Sequence, residues 1–163
     1  MKTFEKTAIG KPEQWLVDAA QAAGLDISGF THEVTNYFII HSINRHGNAK
    51  REKAQGQLPV TIADFERIPE VVKKPDCAII NIKRNRGVLI AYSRKFGEST
   101  IIYYEEILNG KKNKTLRSKT IYKKMGTVKN DTFLKIVANN AHTDISDIKK
   151  VVGAGGNPGG EAD

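Results

Sequence analysis

The stretch AIINIKRNRGVLIAYSRKFGESTIIYYEEILNGKKNKTLRSKTIYKK, residues 78–124, decides the fold. It divides into four short runs rich in Ile, Val and Tyr, at 78–82, 88–93, 99–107 and 114–124. Such runs, apolar or alternating, are the mark of strands. The connections KRNRG (83–87) and RKFGE (94–98) are short enough for hairpins, and LNGKKN (108–113) is a longer turn. Consecutive strands with short links predict a four-stranded antiparallel meander.

Helical patterns precede this stretch and short ones follow it. Pro12 at a first helical position, the stripe of Trp15, Leu16 and Ala19, and the stop at Gly24 predict a first helix. A second is expected to be capped by Thr31, with Glu33 in its first turn, and to run through VTNYFIIHSINRH to Gly47. NAKREKAQGQLP (48–59) reads as a surface loop or short irregular helix. Thr61, with Asp64 three residues on, forms a near capping box for a helix that Pro69 should end. Two short C-terminal helices are expected, in TFLKIVANN (132–140) and DISDIKKVV (144–152). Grouped helices before a meander predict an α+β fold, with N-terminal helices packed on one sheet face. At 163 residues the chain suits one domain, here 1–152, and the glycine-rich 153–163 reads as a flexible tail.

Composition narrows the function. The net charge is +8 and the sequence pI about 9.5, which favours a polyanionic partner. Residues 83–95 and 111–124 hold 12 of the 26 basic residues and none of the 18 acidic ones, a segregation that an evenly mixed surface would not show. Nucleic acid is favoured over membrane, because no amphipathic anchor is visible and no apolar run nears the ~18 residues of a spanning helix. The segment 1–15 lacks a continuous apolar core and a small-residue cleavage site, so a cytoplasmic protein is expected. Cys77, the single cysteine, excludes an internal disulfide and a cysteine-based zinc site, and its place at the head of an apolar run reads as a buried structural thiol.

The histidines of HSINRHGN (41–48) are the candidate acid–base groups. On a helix His41 and His46 lie about 140° apart and ~7.5 Å apart along the axis, so they are not expected to share one site. His41 falls on the stripe of Val34, Tyr37 and Phe38, where a core or boundary role is the plain reading. His46 stands at the helix end, where the negative dipole terminus favours imidazolium. That suits a general acid, and equally suits a C-terminal cap. No metal-ligand spacing is present, and no glycine-rich loop joins a strand to a helix, so neither a metal nor a nucleotide cofactor is expected.

The last strand alternates with a period of two, placing Leu116, Ser118, Thr120 and Tyr122 on one face and Arg117, Lys119, Ile121 and Lys123 on the other. Hydroxyls beside cations can hold a phosphodiester and offset the charge of its transition state, although Thr and Tyr are also ordinary strand formers.

Together the helix-ending RHG (45–47), the polar loop with Glu52, LPVTIADFERIPEVV (58–72), the meander and KTLRSKTIYKK (114–124) resemble the phage-associated group of the barnase–EndoU–colicin–RelE-like nuclease superfamily, over roughly residues 25–125. The resemblance implies helices on one face of an antiparallel sheet and RNA on the open face. It further implies a metal-independent ribonuclease of toxin or phage-effector type, acting by 2′-hydroxyl transesterification in a producing or target bacterium or delivered with a phage particle. An acidic immunity or antitoxin protein would be a partner. By position His46 matches the helix histidine, Thr120 and Tyr122 the hydroxyl pair, and Lys123 the lysine that follows; Arg45 and Glu52 adjoin the histidine motif. The second proton-transfer group is left among Glu52, His41 and some other residue. Substrate contacts are expected from Arg45, Lys83, Arg84, Arg94, Arg117 and Lys119, with Tyr92, Tyr103 or Tyr104 stacking bases. A non-catalytic nucleic-acid-binding module, or a phage structural or interaction domain on the same scaffold, is the alternative.

Overall fold

The structure, a computed structural model, describes residues 5–84, 87–141 and 150–152. The meander forms as the runs of Ile, Val and Tyr predict: β3 (Cys77–Arg84), β4 (Gly87–Phe96), β5 (Ser99–Asn109) and β6 (Lys114–Met125) pair antiparallel in sequence order. Between β4 and β5, Phe96 pairs with Ser99, leaving a two-residue turn in which Gly97 takes φ +63°. Tight hairpin turns need that left-handed backbone, and glycine adopts it without steric cost.

The sheet is larger than the meander. β1 (Lys6–Gly10), β2 (Thr31–Thr35) and β7 (Lys150–Val152) extend it to seven strands in the order β1-β2-β6-β5-β4-β3-β7. β2 runs parallel to β6 and makes the sheet mixed, which corrects the expected four-stranded antiparallel one. The reason lies in THEVT (31–35), which alternates like a strand, with His32 and Val34 buried on one side. Thr31 therefore caps nothing. Thr35 does so instead, its hydroxyl accepting the Phe38 N–H at 3.1 Å, and α2 (Asn36–His46) starts directly from the strand end. Glu33 lies in β2, not in a helical first turn, and pairs with Arg117.

Other helices follow the sequence more closely. α1 (Gln14–Ala22) begins two residues after Pro12, α3 (Ala49–Ala54) forms in the polar segment, and α4 (Ile62–Glu66) carries the Thr61–Asp64 capping box. Pro69 opens α5 (Ile68–Lys73) rather than only ending its predecessor, because a missing N–H costs nothing in a first helical turn. α6 (Asn130–Asn140) covers TFLKIVANN. Most of DISDIKKVV lies outside the described residues, and its last three form β7 on β3 instead of helix. The 153–163 segment also lies outside the described residues.

Both sheet faces carry a core, which corrects the one-sided layering. Ile80, Ile90, Tyr92, Ile101, Tyr103 and Ile121 meet α1, α2, α4 and α5. On the opposite face Ile79, Leu89, Ile102, Tyr104 and Tyr122 meet Phe133 and Val137 of α6. The face the resemblance leaves open is thus partly roofed by α6. Cys77 is fully buried, and burial, then Asp76 beside it, pushes its thiol up to about 12, as a structural thiol requires.

Within the first core lies a buried polar cluster. Both Glu105 oxygens approach His32 Nδ1, at 3.0 and 2.8 Å, and the hydroxyls of Tyr92 and Tyr103 donate to the same carboxylate at 2.7 and 3.2 Å. Glu105 is fully buried, so its acceptors are satisfied by these donors or not at all. Replacing it by Leu leaves three donors stranded, and equilibrium urea unfolding of Glu105→Leu is expected to show a loss of about 3–5 kcal/mol. Burial first, and then the Glu105 charge, hold the Tyr92 and Tyr103 phenols well above their ordinary range. The unfolded chain releases these protons near pH ~10 while the folded one retains them, so stability declines as pH rises past that point. Tyr103→Phe is expected to flatten this alkaline decline in denaturant titrations.

Candidate active site

A cleft of about 440 Å³ opens where the C-terminal half of α2 crosses β6. His41, Ser42, Arg45 and His46 line it from the helix. These positions are the two flanks and the centre of one arc of about 140°. The two histidines, expected not to share a site, line one cleft from opposite flanks of the same helical wall. Ser42, at the centre, is buried toward the sheet.

His46 is held from both sides. Its Nδ1 lies 2.9 Å from Glu52 Oε1, and Glu52 is fully buried beneath it in α3. A carboxylate only accepts, so Nδ1 carries the proton and Nε2 is the nitrogen left for chemistry. The His46 carbonyl accepts the Val60 N–H at 2.7 Å, anchoring the helix end to the returning chain. Gly47 has an ordinary φ of −95°, yet a Cβ there would stand 2.5 Å from the Ile43 carbonyl oxygen. The glycine of RHG is therefore demanded by close backbone approach.

The opposite wall comes from β6, and a bulge sets it. Tyr104 pairs with Thr120 but Glu105 with Ser118, leaving Lys119 as an extra residue. A bulge shifts the alternation by one. Ser118 consequently shares the face of Glu105, while Thr120 and Tyr122 turn to the face of Tyr104 and Ile102. The expected row of four is split: Leu116 joins the first core, Ser118 lies beside it, and only Thr120 and Tyr122 reach the cleft. Tyr122 lies 6.0 Å from His46, centroid to centroid, and stacks on Tyr104 at 6.3 Å. The Asn140 amide donates to both phenols, at 3.3 and 3.4 Å. Burial, and then Tyr104, hold the Tyr122 hydroxyl far above the ordinary phenol range, so it stays neutral.

The expected cations disperse. Arg45 and Lys119 line the cleft, and Arg117 lines its extension, with Nε 2.8 Å from Glu33. Lys123 turns to the other side of β6 and binds Asp64 at 2.9 Å; Lys124, one residue on, takes its place in the cleft. Arg94 is engaged by Glu70 and lies over Phe96, outside the cleft, and exposed Lys83 does not line it. The Arg84 side chain lies outside what is described. Tyr92 and Tyr103 are sealed in the first core by Glu105 and cannot stack a base; Tyr104 is 6% exposed beneath the cleft. Glu52 reaches the site only through His46. Gln57, Asn139 and Asn140 also line the cleft, and no motif announces them. Lys124 was legible, because it continues the Thr120–Tyr122 period of two.

Among the described residues Lys119 and Thr120 line each of three adjoining hollows, so they lie where these meet. Among the described residues no group of three His, Cys, Asp or Glu side chains is placed to hold a metal ion, and no helix is long and apolar enough to cross a membrane.

No curated protein and no solved structure matches the chain. A family match, however, spans residues 10–131 and contains α2, the meander and both walls that carry His46, Thr120 and Tyr122. By that span, the greater part of its length, the chain belongs to the phage-Barnase-EndoU-ColicinE5/D-RelE like nuclease3 family.

Proposed function

We propose that this nuclease is a ribonuclease that cleaves RNA by attack of a 2′-hydroxyl on the adjacent phosphorus, without a metal ion. The observation that carries the reading is a single cleft with His41 and His46 on one wall and Thr120 and Tyr122 on the other. In the proposed step the 2′-oxygen gives its proton to His41 and bonds to phosphorus. The P–O5′ bond breaks as His46 Nε2 protonates the departing 5′-oxygen. The products are a 2′,3′-cyclic phosphate and a free 5′-hydroxyl. Glu52 acts through His46: its carboxylate fixes the ring and offsets imidazolium charge. Thr120 and Tyr122 donate to the non-bridging oxygens, and Arg45, Lys119 and Lys124 offset the charge that develops there. Among the described residues no carboxylate lines this part of the cleft to oppose an incoming phosphate. DNA, lacking the 2′-hydroxyl, binds but is not cut. A role as a toxin or phage effector accords with this chemistry, since it needs nothing beyond the folded chain and RNA.

Purified protein in EDTA is expected to cut RNA at its metal-free rate, and His46→Ala to lower that rate by about 10²–10⁴-fold. Glu52→Gln should lower kcat more than KM, a split that a merely structural change would not produce. Wild-type protein that leaves diverse RNAs intact with and without added metal overturns the reading. Affinity for single-stranded RNA should fall with salt, and Lys119→Ala should reduce the log–log slope by about 0.7, the share of one phosphate contact. Lys123→Ala, which breaks a pair on the far side of β6, should leave that slope unchanged.

A further inference from the structure

Behind His46 lie two buried oxygens that accept no hydrogen bond. Glu52 is fully buried and offers Oε1 to His46 Nδ1, yet its Oε2 has no partner among the described residues. Gln57 lines the same cleft, and its Oε1 is likewise buried without a partner. Buried acceptors are nearly always satisfied, and a carboxylate oxygen without a donor is costly to keep.

The local backbone sets these two side chains together. α3 ends in a Schellman turn, in which Gly56 takes φ +73°. The Gly56 N–H donates to the Lys53 carbonyl at 3.1 Å, and the Gln57 N–H donates back to the Glu52 carbonyl at 2.7 Å. That turn commonly brings the side chains at its first and last positions, here Glu52 and Gln57, into contact. On the other side the Leu58 N–H donates to the Lys123 carbonyl of β6 at 2.8 Å, so Gln57 is clamped between α3 and the sheet. The two ends of an amide have the same shape, and a half-turn about its last torsion exchanges carbonyl for amino group. With the amino group inward, Gln57 supplies the donor that Glu52 Oε2 lacks and no longer buries an idle acceptor. One rotation answers both atoms.

We infer that Gln57 is a positioning residue for the proposed reaction: its Nε2–H donates to Glu52 Oε2 and so fixes the carboxylate with Oε1 facing the Nδ1–H of His46. The chain Gln57–Glu52–His46 holds the imidazole in the tautomer that leaves Nε2 open to the cleft. Its consequence for catalysis rests on the ribonuclease reading, but the hydrogen bonds themselves need no RNA.

Nuclear magnetic resonance on the full chain tests these bonds directly. In wild type one Gln57 side-chain amide proton is expected to exchange with water at least about tenfold more slowly than those of the exposed Gln55. His46, read at a pH where its ring is neutral, should carry its proton on Nδ1. Gln57→Met keeps the length but has no N–H to donate. It should raise the share of the Nε2–H tautomer and lower kcat about tenfold with little change in KM. A residue that merely fills space would tolerate Gln57→Met, and an unchanged tautomer and kcat overturn the inference. So does a Gln57 amide that exchanges as fast as that of Gln55, a result that would leave both oxygens to a buried water. Thermal melting checks the fold of the variant, and if Gln57→Met melts far below wild type the wild-type exchange decides by itself. Protected Gln57 protons and a shifted tautomer in Gln57→Met, in a protein that cuts no RNA, overturn the ribonuclease reading and leave the chain Gln57–Glu52–His46 standing.

Discussion

Glu105 is the constraint around which the sheet is organised. It is fully buried and collects His32 from β2, Tyr92 from β4 and Tyr103 from its own strand. A buried carboxylate without donors is too costly to keep, so the strands that supply those donors must lie where they do. His32 in particular ties β2 to the meander beside β6, where the two strands run parallel. That placement sets the start of α2, since Thr35 ends the strand and caps the helix at once. The cleft wall that α2 supplies thus hangs from a polar cluster in the core against which α2 itself packs.

The second constraint is a single inserted residue. Without the Lys119 bulge, Ser118, Thr120 and Tyr122 would share one face, and Thr120 and Tyr122 would turn into the first core with Ser118. The insertion rotates them to the face that α6 roofs, where Asn140 steadies Tyr122 and His46 approaches it. It also leaves Lys119 at the meeting point of the cleft and its extensions. One feature therefore positions the hydroxyls and a central cation together. Gly47 complements it from the helix side, letting the backbone close against Ile43 so that His46 ends the helix facing the sheet.

How much of this was legible depends on the range of the interaction. The four strands of the meander, the stop at Gly24, the Thr61–Asp64 capping box and the helix at 130–140 follow from local pattern, and each appears. The strand at 31–35 was missed because Thr, Glu and Val beside a helical run read as its first turn. Only pairing with β6 and burial of His32 reveal it. Of the candidate site residues, His46, Thr120, Tyr122, Arg45 and Lys119 come together in the cleft, with Glu52 behind. Lys123, Arg94 and Tyr92 do not, because a period of two cannot show a bulge, and charge counts cannot show that Asp64, Glu70 or Glu105 already holds its partner.

By itself the sequence determined the class of this molecule. An apolar alternation makes the meander, capping residues start and stop the helices, and the basic residues gather in two stretches of the chain. These are properties of neighbours along the chain, and they survive without knowledge of the fold. Tertiary structure alone decided that two histidines on opposite flanks of α2 face one cleft, that Lys119 is extra, and that α6 lends its asparagines to the site. Each of these depends on register or on contacts between residues dozens of positions apart. Free energy selects them by burying Glu105 with its donors and by packing both sheet faces, terms that exist only once the chain has folded.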